Sequence, residues 1–156
     1  MLDIKSGVFI RWGVRMDLPR ILEIDAASRR EPWTEEDFLA SMRRRDTILV
    51  VAERAERVMA CCVYRMLKHQ YHVVGLAVDP ACRRQGIGSA IMRKLQDKLP
   101  MHRRRRVTFD VPESSLETQL FLRALGFKCV RIRRAASGAD DNVYRMVYER
   151  AEMGKE

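Results

Sequence analysis

One stretch, residues 73–92, constrains the fold of this chain more than any other part of it. It begins with the apolar run Val73–Val78, whose β-branched residues favour a buried strand. Pro80 then ends the strand, because proline has no N–H to donate to a neighbouring strand. A loop rich in arginine and glycine follows, and from Ile87 apolar residues recur at helical spacing. A strand, a glycine loop and a helix N-terminus in succession predict an anion site made of backbone N–H groups.

Two familiar phosphate-binding loops do not match this stretch. A Walker A loop needs lysine and then serine or threonine after its second glycine, whereas Gly88 is followed by Ser-Ala. A dinucleotide-binding fingerprint needs a third glycine three residues after the second, and that position is Ile91. The loop therefore belongs to neither class.

The periodicity of the whole sequence predicts alternating strands and helices in a single domain, residues 1–156, without repeats or an internal linker. Strands are predicted at Phe9–Val14, Thr47–Glu53, Arg57–Leu67, Tyr71–Val78, Val107–Val111, Phe127–Arg133 and Val143–Glu149. Helices are predicted after Asp17, from Thr34, from about Gly86 to Leu99, and after a cap at Ser114 or Ser115. The last helix is predicted to carry the apolar residues Leu116, Leu120, Phe121, Ala124 and Leu125. A polar loop is predicted at Ala135–Asn142, and the tail from Arg150 is expected to fray.

The loop pattern and the order of the elements together resemble one known family. Arg83, Gly86 and Gly88, directly after a Val-x-Pro strand end, resemble the acetyl-CoA loop of the GNAT family of N-acetyltransferases. Pro32–Phe38 is similar to the Pro-Trp-Ser/Thr-x-x-x-Phe segment of its ribosomal-protein-alanine (RimI-type) branch. Leu125–Phe127 is similar to the family's Leu-Gly-Phe at the end of the last helix. The resemblance covers about residues 9 to 149.

The resemblance implies an α/β (α+β) GNAT fold. This fold has a mixed central sheet of about seven strands together with about four helices. A splay is expected between the fourth and fifth strands. Acetyl-CoA is the implied co-substrate, and no metal is expected. The backbone of Leu76, Ala77 and Val78 is expected to bond the pantetheine arm in the splay. The N–H groups of the loop are expected to bind the pyrophosphate. The implied loop residues are Arg83, Arg84, Gln85, Gly86, Ile87, Gly88 and Ser89.

The implied reaction is attack of a neutral amine on the acetyl thioester. An α-amino group has an ordinary pKa of about 7.7–8.0, whereas that of lysine is about 10.4. Near pH 7 the neutral form therefore costs roughly 1 kcal/mol for an N-terminus but more than about 4 kcal/mol for lysine. A protein N-terminus, for example that of a ribosomal protein, is thus the acceptor that needs the weakest base.

The chain departs from its branch at three positions near the expected chemistry. Asp110 stands where those enzymes carry the glutamate of Leu-Glu-Val, and we predict it to be the general base, directly or through a water. The alternative is a strand-end carboxylate paired with an arginine. Ser115 replaces the family's asparagine and is expected to cap a helix and contact the cofactor. Leu122 replaces the tyrosine that protonates the leaving thiolate, and leucine has no proton to donate.

Other titratable side chains are weaker candidates for the proton transfers. His72 lies beside the expected splay and is a second candidate base, since its pKa is ordinarily close to neutrality. Tyr144 and Tyr71 are candidate proton donors. Alternatively, the thiolate of CoA leaves without a donor, because a thiol has an ordinary pKa of about 8.5. For each of these side chains, plain packing or solvation is the competing interpretation.

The resemblance, its departures from the branch and the charge balance together leave three functions open. The chain has 30 Lys and Arg against 21 Asp and Glu, a net charge of +9, which favours polyanionic partners. Aromatic residues make up only 7% and do not interleave with the arginines, so RNA contact is allowed but not required. The first function is N-terminal acetylation of a protein or peptide. The second is acetylation of a small-molecule amine, and the third is non-catalytic binding of CoA or RNA, suggested by Leu122 and the run Arg103–Arg106.

The sequence also suggests a cellular location. No apolar leader or membrane-span-length run is found, so we expect a cytoplasmic protein without membrane contact, either monomeric or homodimeric. The four cysteines, Cys61, Cys62, Cys82 and Cys129, lack metal-ligand spacing. Reduced thiols that mostly pack in the interior are expected.

Overall fold

The computed structural model describes residues 1–3, 6–136 and 141–151. Within these ranges the strands are β1 Leu2–Asp3, β2 Val8–Trp12, β3 Thr47–Arg54, β4 Arg57–Met66, β5 Gln70–Val78, β6 Arg106–Pro112, β7 Lys128–Arg133 and β8 Val143–Glu149. The helices are α1 Leu18–Ser28, α2 Glu35–Arg43, α3 Ile87–Lys98 and α4 Leu116–Ala124. The strand order in the sheet is β1-β2-β3-β4-β5-β6-β8-β7. All seven predicted strands are present, and the additional one is the two-residue β1.

The chain divides into two compact units. The first comprises Met1–Met66 and Val73–Lys94, and the second comprises Leu67–His72 and Leu95–Glu156. In the first unit, antiparallel pairing joins β1 to β2, β2 to β3 and β3 to β4. In the second, β8 pairs antiparallel with both β6 and β7. Whether the chain is one domain, as predicted, stays a prediction.

The first unit is built around an apolar core supplied by α1, α2 and the faces of its strands. Helix α2 begins where predicted: Thr34 Oγ1 accepts the Asp37 N–H at 3.2 Å, and the Asp37 carboxylate accepts the Thr34 N–H at 2.9 Å. Helix α1 follows Asp17, but that carboxylate binds the Arg11 guanidinium and the Val14 N–H instead of capping α1. The core residues are Leu18, Ile21, Ile24, Phe38, Leu49, Val51, Val58, Cys61, Val63 and Ala77.

In the second unit, helix α4 leaves some of its predicted apolar residues exposed, while Phe121 and Leu125 are half-buried. Leu122 is fully buried, whereas Leu116 and Leu120 are 61% and 56% exposed. The inward face includes the half-buried Gln119, whose side-chain amide donates to two backbone carbonyls at the end of β6 and just beyond it. Hydrophobicity alone did not indicate that the inward face of the helix includes a polar side chain. Ser115 occupies the cap position but makes no side-chain capping bond.

Several other expectations can be compared with the structure. Cys61, Cys62 and Cys82 are buried free thiols and Cys129 is an exposed one, which confirms mostly packing thiols. Among the described residues, no helix combines the length and apolarity of a transmembrane span. The predicted polar loop includes residues 137–140 and the predicted frayed tail includes 152–156, and both stretches lie outside the described residues.

Candidate functional site

The loop between β5 and α3 makes a sharp, exposed turn. The Asp79 carboxylate starts it by accepting the Ala81 N–H at 2.9 Å, and it is also bound by the Arg20 guanidinium. A short 3-10 turn follows, and Arg84 then adopts φ +64° and Gly86 φ +79°. Both values lie in the left-handed region, which glycine enters without steric cost. Two such residues within three positions reverse the chain just before α3 begins.

The backbone of this turn has room for an anion. No heavy atom lies within 4 Å of the position a Cβ would take on Gly86, and that residue is exposed. The first helical hydrogen bond of α3 runs from the Ala90 N–H to the Gly86 carbonyl at 2.9 Å. The earlier N–H groups of the helix therefore have no intrahelical acceptor. An open, exposed turn at the N-terminus of a 12-residue helix fits the pyrophosphate of acetyl-CoA.

The side chains of the loop fasten it to neighbouring elements. Arg83 donates to the Ser28 hydroxyl at the end of α1 at 3.2 Å. The Gln85 side-chain Oε1 accepts from the Arg54 guanidinium at 2.5 Å. Arg84 is exposed, Ile87 is buried, and Gly88 and Ser89 are half-buried, as are Leu76 and Val78 on β5. The side chains of Arg83 and Gln85 thus hold the loop in place and leave its backbone exposed.

A buried ion pair lies against β5 in the same unit. Asp25 is 1% exposed, and its carboxylate accepts the Trp33 N–H at 2.8 Å and pairs with the Arg29 Nε at 2.7 Å. The Arg29 guanidinium lies 5.1 Å from the centre of the Trp33 ring, which meets Phe38 edge-on at 5.1 Å. A Cβ placed on Gly75 would be only 1.4 Å from Arg29 Nη2. The segment Pro32–Phe38 therefore anchors the α1–α2 connection, and Gly75 makes room for Arg29.

This role of Asp25 and Arg29 was not predicted from the sequence. One signal was available: Asp25 interrupts the apolar stripe of a predicted helix, with an arginine four residues later. A buried carboxylate needs a partner, so that pattern indicates an internal ion pair. The contact with Gly75 had no local signal, because it joins positions far apart in the chain.

In the second unit, four polar residues form a cluster: Asp110 and His72, which were predicted site residues, and Arg145 and Thr108, which were not. Asp110 on β6 lies directly opposite Arg145 on β8, and its two oxygens accept from the Arg145 guanidinium at 2.8 and 2.9 Å. His72 Nε2 lies 3.9 Å from Asp110 Oδ2, and His72 Nδ1 lies 2.7 Å from Thr108 Oγ1. Two of the predicted site residues, Asp110 and His72, are thus brought together, and Arg145 was not predicted.

The Arg145 guanidinium changes the proton affinity of Asp110. Hydrogen bonds from Arg145 hold the pKa of the Asp110 carboxyl below its ordinary value, partial burial opposes them, and the charges of Arg145, His72 and Arg133 lower it further. A carboxylate with a lowered pKa is a weaker base than a free one. Asp110 is therefore better suited to stabilise a neighbouring cation than to take a proton itself.

The other predicted catalytic residues, Tyr144 and Tyr71, are not part of this cluster. Tyr144 lies opposite Val111, and because alternate residues of a strand face opposite ways, it is on the other face from Arg145. Its hydroxyl donates to Glu113 Oε1 at 3.1 Å, which raises the pKa of Tyr144. Tyr71 is fully buried, and its hydroxyl bonds to His102. Leu122 is an interior side chain of its unit.

Arginines surround Asp110 on the same face. A pocket is lined by Asp110, Arg131, Arg133, Val143 and Arg145. It contains three guanidinium groups and one carboxylate, so its charge is strongly positive. In the described part of the chain, no group of three or more His, Cys, Asp or Glu side chains is arranged to hold a metal ion.

Comparisons with known proteins give consistent matches. A family model described as the acetyltransferase (GNAT) family matches residues 18–127. The ribosomal protein bS18-alanine N-acetyltransferase of Escherichia coli (strain K12) is 25% identical over 118 residues, 76% of this chain and 79% of that protein. The crystal structure of the ribosomal-protein-S18-alanine N-acetyltransferase from Escherichia coli has a TM-score of 0.83 at 21% identity, covering 95% of this chain and 97% of that one. A GNAT family acetyltransferase from Elizabethkingia anophelis with acetyl-CoA bound has a TM-score of 0.73 at 14% identity, covering 91% and 97%.

Proposed function

Because the chain belongs to the acetyltransferase (GNAT) family and is an N-acetyltransferase that uses acetyl-CoA, we propose that its acceptor is the α-amine of a protein N-terminus. The fold, the family and the co-substrate predicted from the sequence are confirmed. Family membership also argues against the non-catalytic alternative. A ribosomal protein is a reasonable acceptor, since a relative is named for that activity, and the proposal implies a cytoplasmic enzyme.

Acetyl-CoA supplies an activated thioester carbonyl when it is bound. The N–H groups around Gly86 and the start of α3 would hold its pyrophosphate, with Arg84 as an exposed cation beside it. Leu76, Ala77 and Val78 would offer backbone groups to the pantetheine arm, as the family resemblance implies. Ser115, at the start of α4, remains a proposed cofactor contact through its half-buried side chain.

The observation that carries the choice of acceptor is the pairing of His72 with Asp110. With Asp110 already bound by Arg145, the imidazole of His72 is the proposed general base, and Asp110 would stabilise the imidazolium that forms. Imidazole has an ordinary pKa of about 6.5, within about 1.5 units of an α-amine but nearly 4 units below lysine. An imidazole as base therefore suits an N-terminal amine far better than a lysine side chain.

No side chain in the described ranges is assigned as proton donor to the leaving sulfur. Tyr71 is buried, and Tyr144 is bonded to Glu113 on the opposite face from Arg145. A thiol has an ordinary pKa of about 8.5, so release as a thiolate is feasible near neutral pH. The proposed mechanism therefore uses one base and no general acid.

The second enzymatic alternative, acetylation of a polyamine or an antibiotic-like amine, receives less support. Such acceptors carry several positive charges, and the pocket beside Asp110 contains three arginines and one carboxylate. Like charges at close range disfavour binding. A peptide whose one positive charge is at its N-terminus is repelled less by the arginines.

The proposal is tested with the full chain, acetyl-CoA and peptides that carry both a free α-amine and an internal lysine. We expect mass spectrometry to find the acetyl group on the α-amine, and we expect peptides with a blocked N-terminus to be inert. Spermidine and an aminoglycoside serve as competing acceptors. Acetylation confined to lysine or to the small amines would refute the proposed acceptor.

The role of His72 is tested by His72→Ala. Loss of a general base typically lowers kcat by about 10²–10⁴-fold, and the acidic limb of the pH–rate profile should be lost with it. His69→Ala is the matched control, because His69 is exposed on the turn before β5 in the same unit. Equal rates and pH profiles for the two variants would remove His72 from the mechanism.

A further inference from the structure

We propose that Arg131 and Arg133 select acceptors that carry a carboxylate close to the α-amine, so that the substrates are proteins with acidic residues directly after the N-terminus. This inference rests on the proposed function and adds its specificity. The two arginines lie on β7 and line the pocket that contains Asp110. They would bind the acceptor, while His72 and Asp110 act on its amine.

Strand pairing aligns these residues in a row across the sheet. Arg131 on β7 lies directly opposite Arg145 on β8, which lies directly opposite Asp110 on β6. Directly opposed residues share a face, so the row from Arg131 to Asp110 is continuous and ends 3.9 Å from His72. Arg133 lies two residues further along β7, opposite Val143, on the same face.

The row is not electrostatically satisfied. Like charges directly opposite each other destabilise a sheet, and Arg131 and Arg145 are such a pair. The Asp110 carboxylate is occupied by both N–H groups that Arg145 offers it. Neither Arg131 nor Arg133 lies within ion-pair distance of a carboxylate among the described residues, and both are exposed. The arrangement costs stability in the free protein and is relieved when an anion binds.

The chemistry of the pocket favours a carboxylate on a peptide. Guanidinium groups bind carboxylates through paired hydrogen bonds. Adjacent strands are about 4.8 Å apart, so Arg131 lies about 10 Å from Asp110 across two strand spacings. An extended peptide spans about 3.3–3.6 Å per residue, so an amine at His72 and Asp110 brings the second or third side chain to the arginines. The pocket lining has no aromatic side chain on which a nucleic-acid base would stack.

The test compares peptides that differ only at positions 2 and 3, with Glu-Glu, Gln-Gln or Lys-Lys there. We expect kcat/KM for α-amine acetylation to be about tenfold higher for Glu-Glu than for Gln-Gln, and to be lowest for Lys-Lys. The preference should shrink as salt is raised, because the arginines are exposed. In the double variant R131E/R133E the order should invert, with Lys-Lys now preferred.

Two controls make the outcome decisive. Arg123→Glu changes the charge of an exposed arginine on α4 and should leave the order of peptides unchanged. The rate with Gln-Gln reports whether R131E/R133E is folded and active. Equal kcat/KM for all three peptides would overturn this inference and leave the proposed function intact. If no peptide is acetylated at its α-amine, both fail. If a short RNA binds only when both arginines are present and peptide charge has no effect, the pocket is a nucleic-acid contact instead.

Discussion

Replacing Gly75 by alanine tests the ion pair that lies against β5. The new Cβ would lie 1.4 Å from Arg29 Nη2 and 2.5 Å from its Cζ. Non-bonded heavy atoms need about 3.5 Å, so the guanidinium must move by about 2 Å. The Nε–Oδ1 contact of Arg29 with Asp25, now 2.7 Å, would not survive such a movement.

The cost follows from the burial of Asp25. Removing one partner of a buried ion pair typically costs about 3–5 kcal/mol. Here Asp25 keeps the Trp33 N–H and Arg29 stays nearby, so we expect about 2–3 kcal/mol. For a chain of this size that lowers Tm by about 5–10 °C. Urea denaturation and thermal melting measure both quantities.

A double-mutant cycle separates this mechanism from general damage to the strand. If alanine at position 75 acts by displacing Arg29, the double variant G75A/R29A should be scarcely less stable than the single variant R29A. Gly86→Ala is the control, since its Cβ meets open space and only the φ of +79° is strained, at about 1 kcal/mol. Its cost should add fully to that of R29A. Additive costs for G75A and R29A would refute the reasoning.

Two further predictions concern titratable groups. Arg145 holds the pKa of Asp110 below its ordinary value, so the ion pair stabilises the fold above that value and the contribution is lost as pH falls through the folded pKa. Asp110→Asn should therefore lower the free energy of unfolding, measured with urea, by about 1 kcal/mol at pH 7 and leave it unchanged in strong acid. A difference in stability between the two proteins that does not change with pH would contradict this. Cys129 is the exposed thiol, whereas burial raises the pKa of Cys61 to about 12. A chromogenic disulfide reagent should quickly titrate one thiol in the native protein and four in denaturant, and a second fast native thiol would be inconsistent with the fold.

Local signals predicted the elements well where the chemistry was itself local. The start of α2 follows from Thr34 and Asp37, which cap the helix reciprocally over three residues. The strand ending before Pro80 and the glycine turn after it were placed correctly for the same reason. Helix α4 shows the limit: Leu122 is buried while Leu116 is exposed, because neighbouring strands decide which face a helix buries.

The prediction of Asp110 as the general base was limited in the same way, because the sequence does not show which side chains surround it. Asp110 was chosen from its position in a motif, but its pairing with Arg145 joins residues 35 positions apart. Strand register alone brought them together, and it also placed Tyr144 on the opposite face. The positive pocket at Arg131 and Arg133 was not predicted either, because a helix and a turn separate those arginines from Asp110 in the sequence.

Residues 73–92 by themselves indicated an anion site, because such a site at a helix N-terminus is made of consecutive backbone groups, and their resemblance to the family's loop indicated the co-substrate. The sequence likewise determined the family and the order of strands and helices. Tertiary structure alone decided which side chains share a face with Asp110, and therefore which of the candidate bases and which charge on the acceptor peptide we propose. The physical reason is that backbone sites depend on neighbours in the chain, whereas proton affinity and charge selection depend on side chains that strand pairing brings together.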